Sequence, residues 1–303
     1  AWLLNYTNPM STLTGYLLRH CGIKVVGLCH SVQVCASHLL KSLELWDKYQ
    51  PVTWRIAGIN HMAWLLDITK DGKDLYPEIK KAAEKKNRSA RKKDGTKHND
   101  MVRYEMMRNF GFYNTESSEH TAEYHPYFIK RQYPELVQEF NIPLDEYPRR
   151  CINQIASWRK QRDEIVHNKK LGHQRTHEYG SYIMESILCD KPYEIGGNVL
   201  NNGLISNLPA EAVVEVPCLV NRNGVQGCHV GKLPLQCAAL NMTHINVHLL
   251  TIEAAATHSR DLVYQAAMLD PHTRAELSLD DIRSMCDDLF EAHDRDNMLP
   301  EYK

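Results

Sequence analysis

The sequence has 303 residues, 43 % of them hydrophobic and 24 % charged, with a net charge of −1. This is ordinary globular composition, with enough chain for one large domain or two smaller ones. The charge balance offers no bulk attraction to nucleic acid or to an anionic membrane, and no apolar run reaches the roughly 18 residues a bilayer span requires. The nine cysteines are an odd number without a C-x-x-C pair, which reads as reduced thiols in a cytoplasmic protein instead of a disulfide frame.

In chain order, residues 2–6 form an apolar run that begins at the first residue. It reads as an interior strand whose earlier neighbours are absent, so a piece of a longer protein is expected. Residues 12–20 read as an amphipathic helix, 24–28 as a second strand, 32–46 as a helix and 54–59 as a third strand. Alternating β and α elements predict a parallel sheet with crossover helices. The pattern changes near residue 67. A basic stretch at 80–93 reads as a solvated helix face, with anion binding the sharper alternative. Helices are expected at 98–110, 133–140, 145–167, 234–269 and 279–293, and a strand-rich region with Asn/Gly turns at 193–221. The expected organisation is a truncated Rossmann-like parallel sheet over 1–66, followed by an α+β unit over 67–303.

Two predicted strands end in polar clusters, where ligand sites of open α/β sheets lie. The first ends in Cys29-His30-Ser31 and the second in Asn60-His61. Cys29 and His61 would supply half of a transition-metal site; a buried thiol and a hydrogen-bonded core histidine is the plainer reading. Asn8, before Pro9, is either a ligand contact or turn punctuation. Residues 115–120 crowd two carboxylates, three hydroxyls and an imidazole together, which is costly to bury unless a polar ligand faces them. Arg175-Thr176-His177-Glu178-Tyr179 reads as a capped helix start, where Tyr179 could act as a base if its pKa were lowered. Asn198, Asn201, Asn202 and Asn207 read as turn formers.

The order of these segments carries more than any one of them. Asn5-Tyr6-Thr7-Asn8-Pro9-Met10, Gly27-Leu28-Cys29-His30-Ser31-Val32-Gln33 and Ala57-Gly58-Ile59-Asn60-His61-Met62-Ala63 come first. Val102-Arg103-Tyr104-Glu105, Thr115-Glu116-Ser117-Ser118-Glu119-His120, Asn207-Leu208-Pro209 and Met268-Leu269-Asp270-Pro271-His272-Thr273 follow. In this order they resemble the α-galactosidase (melibiase) branch of glycoside hydrolase family 4, over essentially the whole chain. Missing relative to that family are the opening strand, its Gly-rich turn and the acidic residue that holds the adenosine ribose.

The resemblance implies a lactate/malate-dehydrogenase-like nucleotide fold, NAD and a divalent metal such as Mn²⁺, and a homodimer or homotetramer. It implies hydrolysis of an α-linked galactoside by oxidation at C3, deprotonation at C2, elimination at C1, water addition and re-reduction, outside the two-carboxylate scheme. Carried over, Cys29 and His61 are the metal ligands and His30 a general acid. Tyr179 is the C2 base, with Glu178 as its alternative. Asn8 and Asn60 contact sugar hydroxyls, Asn8 also the nicotinamide side. Glu116, Ser118 and His120 line the sugar pocket, and Arg103 contacts substrate or cofactor or pairs with Glu105. One departure bears on substrate. Where relatives carry His-Gly-Asn-Thr-Arg, this chain has Lys93-Asp94-Gly95-Thr96-Lys97, and Lys97 is a point charge instead of a planar fork. An α-glucuronidase or α-galacturonidase of the same family, a plain dehydrogenase and an inactive fragment are the alternatives.

Overall fold

The computed structural model describes all residues except 169–173, 177, 295–297, 300 and 303. The chain opens with β1 (Trp2–Asn5), α1 (Met10–His20), β2 (Lys24–Gly27), α2 (His30–Ser42) and the short α3 (Trp46–Tyr49). β1 and β2 pair in parallel, joined by α1, as alternation of β and α elements predicts. Then β3 (Thr53–Ile59) turns through Asn60 and His61 into β4 (Met62–Lys70) and the two-residue β5 (Lys73–Asp74). α4 (Tyr76–Ala90), α5 (Met101–Phe110), β6 (Tyr113–Asn114), α6 (Ser118–Tyr124), α7 (Glu135–Glu139) and α8 (Glu146–His167) follow. The last part runs α9 (Tyr179–Cys189), β7 (Tyr193–Leu200), β8 (Val213–Asn221), β9 (Gly224–Gly227), α10 (Leu235–Thr257), α11 (Arg260–Leu269), α12 (Thr273–Glu276) and α13 (Leu279–Asp294).

All strands join one mixed sheet of order β1-β2-β7-β8-β3-β4-β5, with β6 on β4 and β9 on β8. The chain is α/β, but the third strand corrects the expected parallel run. β3 lies antiparallel to β4 and to β8, and the β7–β8 hairpin sits between it and β2. The reason is local: a two-residue turn after Ile59 makes a hairpin, whereas a parallel neighbour would need a crossover of a dozen or more residues. The expected boundary at residue 66 falls inside β4, and strands from both sides of it share the sheet.

Side chains of β2, β3, β4, β7 and β8 form the main core with α5, α9 and α10, around Val26, Ile59, Trp64, Val214 and Ile183. A second cluster under α2 and α4 includes Leu39, Ile56, Leu65 and Ile79. These strands read as near-continuous apolar runs because both faces are covered. The basic stretch forms the outer side of α4, where Arg88 pairs with Glu84 and the following Arg91 with Glu139. α8 differs from the other helices. Among the described helices longer than five residues, it alone buries none of its residues. No described helix is long and apolar enough to cross a membrane.

Candidate active site

Cys29 caps the N-terminus of α2 at the end of β2, with extended backbone. His61 is the second residue of the β3–β4 turn and adopts φ 63°, in the left-handed region. Glu116 arrives from the loop between β6 and α6, where Asn114 Oδ1 accepts its backbone N–H at 2.9 Å. The three side chains meet. His61 Nε2 lies 3.3 Å from Glu116 Oε2, Cys29 Sγ lies 3.9 Å from the same oxygen, and all three donor atoms fall within 4.8 Å of one another. Ser31 Oγ is 3.0 Å from Cys29 Sγ.

This donor set fits a divalent transition metal: one thiol, one imidazole and one carboxylate, with room left for further ligands. The thiol supplies the test. Burial, and next the charge of Glu215, push Cys29 up to about 12, so a thiolate there calls for a cation against it. Burial also lowers His61, opposed by Glu116, which keeps its imidazole neutral and able to donate a lone pair. His61 stacks on His120 with ring centroids 5.1 Å apart, and Tyr124 OH lies 3.5 Å from His61 Nδ1. His120 is tied to Glu123 at 2.8 Å, the hydrogen bond that raises its pKa.

A second constellation stands beside the first. Glu178 caps α9, its side chain accepting from Gly180 N–H. Its carboxylate receives the Tyr6 hydroxyl on one oxygen and lies 2.6 Å from His30 Nε2 on the other. Tyr6 and then His30 hold Glu178 below the usual carboxylate range. The Tyr6 and His30 rings stack at 5.2 Å. Tyr179, the other base expected, is buried; its hydroxyl donates to the Cys29 carbonyl at 3.1 Å, and burial raises its pKa. His177 of the same segment lies outside the described residues.

A cavity of about 460 Å³ joins the two groups, lined among others by Tyr6, Asn8, Cys29, His30, His61, Arg103 and Glu116. A neighbouring one of about 710 Å³ shares Asn8 and His61 and continues along His120, Glu123 and Arg150. Asn8 lines both and also accepts the Met10 N–H at 3.2 Å. Arg103 pairs with Asp100, not with Glu105, and its guanidinium covers the Tyr113 ring. Ser118 is buried and accepts the Arg103 backbone N–H at 3.3 Å, a structural bond. Asn60 is buried, its side chain turned toward Glu215. Lys97 Nζ donates to the Glu139 carbonyl at 3.0 Å.

Sequence reading passed over Glu215. It is fully buried on β8 beneath the cleft, and burial pushes its carboxyl up to about 8. The signal was a single acid inside Val213-Val214-Glu215-Val216, a run that is otherwise β-branched.

Residues 56–273 match the model of the family 4 glycosyl hydrolase C-terminal domain, and residues 1–45 that of family 4 glycosyl hydrolase. The chain belongs to glycosyl hydrolase family 4. This family 4 chain is 61 % identical to an α-galactosidase of Bacillus subtilis, across all of its own length and 68 % of that protein. It is 29 % identical to an α-galactosidase of Rhizobium meliloti, again over its whole length and 61 % of the relative. It therefore spans about two thirds of the length of these relatives. An α-galacturonidase of Thermoanaerobacter italicus is 26 % identical over 96 % of the chain and 66 % of the relative. In fold, the chain superimposes on a 6-phospho-α-glucosidase from gut microorganisms solved in complex with NAD and Mn²⁺. The TM-score is 0.77 at 22 % identity, covering 100 % of this chain and 69 % of the other.

Proposed function

We propose that this family 4 protein hydrolyses α-galactosides using NAD and a divalent metal, Mn²⁺ foremost. The observation that carries the reading is 61 % identity to an α-galactosidase along the entire chain, joined by the convergence of Cys29, His61 and Glu116. When bound, NAD supplies reversible hydride transfer at C3 of the sugar, and the metal held by Cys29, His61 and Glu116 supplies charge that acidifies the C2 proton.

The remaining work falls to side chains of this chain. Glu178, kept ionised by Tyr6 and His30, takes the C2 proton. His30, hydrogen-bonded to it, passes a proton to the departing oxygen, so one dyad serves both ends of the elimination. Tyr179 becomes the second choice of base, because its proton is donated to the Cys29 carbonyl and burial opposes its loss. Asn8 and His120 face the sugar, and Asn8 the nicotinamide side as well.

A neutral galactoside is favoured over a uronide by the arginines at the cleft. Arg103 is held by Asp100, and Arg150 by Glu119 and Glu146, so neither planar fork is free to take a carboxylate. We also read the protein as a cytoplasmic homodimer or homotetramer, which sedimentation velocity of the intact protein checks. The function is tested by comparing nitrophenyl α-galactoside with the matching α-uronide, with NAD, Mn²⁺ and reductant present. Faster release from the galactoside without net NADH is expected; preference for the uronide, or NADH accumulating with substrate, overturns the reading.

A further inference from the structure

We infer that the Asn198–Glu215 pair is the positioning element of the metal site: it sets the spacing between Cys29 and His61, whose strands do not touch each other. The inference rests on the metal reading of those two residues.

Cys29 follows β2 and His61 follows β3, and the β7–β8 hairpin separates these strands. One row of residues crosses all four. Gly27 on β2 is register partner of Asn198 on β7, Asn198 of Glu215 on β8, and Glu215 of Gly58 on β3. The hairpin itself is paired along eight positions, but its ladders to β2 and to β3 are each confined to that single row. The distance between the two ligand-bearing strand ends is therefore transmitted through Asn198 and Glu215.

Their side chains form the rung. Asn198 Nδ2 donates to Glu215 Oε1 at 2.8 Å and lies 3.4 Å from the Gly27 carbonyl. Glycine at the β2 end lets that chain close on it, and glycine at the β3 end lets β3 close on β4. A Cβ at Gly27 would sit 2.8 Å from Asn198 Cβ, and one at Gly58 would sit 2.6 Å from Ala63 Cα. Both rung residues are fully buried, and Asn198 Oδ1 has no partner. Unmatched buried polar atoms are expensive, and an apolar pair of similar size would serve the core better. A hydrogen-bonded pair offers what an apolar contact lacks, a fixed direction and length under the two ligands.

The test is a Co²⁺ titration of the intact protein, following affinity and the thiolate-to-cobalt charge-transfer absorption that reports the Cys29 bond. Glu215→Gln keeps the size and the hydrogen bond without charge, and is expected to stay within about threefold of wild-type affinity. Glu215→Leu and Asn198→Ala are expected to bind about tenfold or more weakly, with an altered charge-transfer band, while circular dichroism shows a folded chain. Should Glu215→Leu fail to fold, Asn198→Ala carries the test. Wild-type affinity and an unchanged band in folded Asn198→Ala overturn the inference, as does a loss in Glu215→Gln equal to that in Glu215→Leu. Wild-type protein that takes up no Co²⁺ sinks the metal reading itself.

Discussion

The cleft holds two histidine–glutamate pairs that differ in their surroundings. His61 and Glu116 are largely buried, their side chains 12 % and 18 % exposed, and stand 3.3 Å apart beside a buried thiol. His30 and Glu178 are 63 % and 45 % exposed and close to 2.6 Å, with the Tyr6 hydroxyl on the second carboxylate oxygen. The first pair is loose, dehydrated and next to sulfur, an arrangement that a shared cation completes. The second is satisfied within itself and open to solvent, which suits the exchange of protons. Identical residue types are thus set apart by burial and by third partner, which is why we propose ion holding for the first pair and proton handling for the second.

That division can be broken from either side. The largest effect is expected at the buried pair: Cys29→Ser should lower Mn²⁺-dependent hydrolysis by about a thousandfold, and retained hydrolysis with bound Mn²⁺ would show that sulfur is no ligand. At the exposed pair, Glu178→Gln should reduce kcat by about a hundredfold or more and abolish exchange of the C2 proton with D₂O. Tyr179→Phe should cost tenfold or less; the reverse ranking would return the base to Tyr179.

The pH behaviour sharpens the comparison further. Metal binding must displace the proton of a thiol pushed up to about 12, while burial already keeps His61 neutral. Mn²⁺ affinity should accordingly rise with pH between 6 and 9, by up to about tenfold per unit, as read by calorimetry. A flat profile would mean that Cys29 binds no metal or is already ionised. The smallest effect concerns the floor. Burial pushes the Glu215 carboxyl from an ordinary 4.5 up to about 8, so its contribution to stability is fully present below the unfolded value. That contribution is lost as pH climbs from about 4.5 through 8. Glu215→Gln should remove this slope from denaturant-unfolding measurements; an unchanged slope would place the titration elsewhere.

Much of the architecture was legible. The first two strands, the helix between them and the long helical stretches after residue 230 followed from hydrophobic periodicity, which depends only on neighbours in the chain. The direction of β3 was not, because a short apolar run looks the same whether it pairs in parallel or in a hairpin. Cys29 and His61 were visible as candidate ligands at strand ends and Glu116 as part of a dense polar loop. Asn198 resembled one more turn residue, and Glu215 passed as a lone polar interruption, since nothing local says which strands they will stand between.

Sequence alone determined the ordered motifs, and through them the family and the candidate residues for its chemistry. Tertiary structure decided the grouping. It placed a hairpin from residues 193–221 between the strands that lead to Cys29 and His61, turned Glu178 toward His30 and turned the Tyr179 hydroxyl toward the Cys29 carbonyl. The physical reason is that side-chain type and spacing are properties of the chain, whereas burial and the third partner of each pair arise only where distant segments meet.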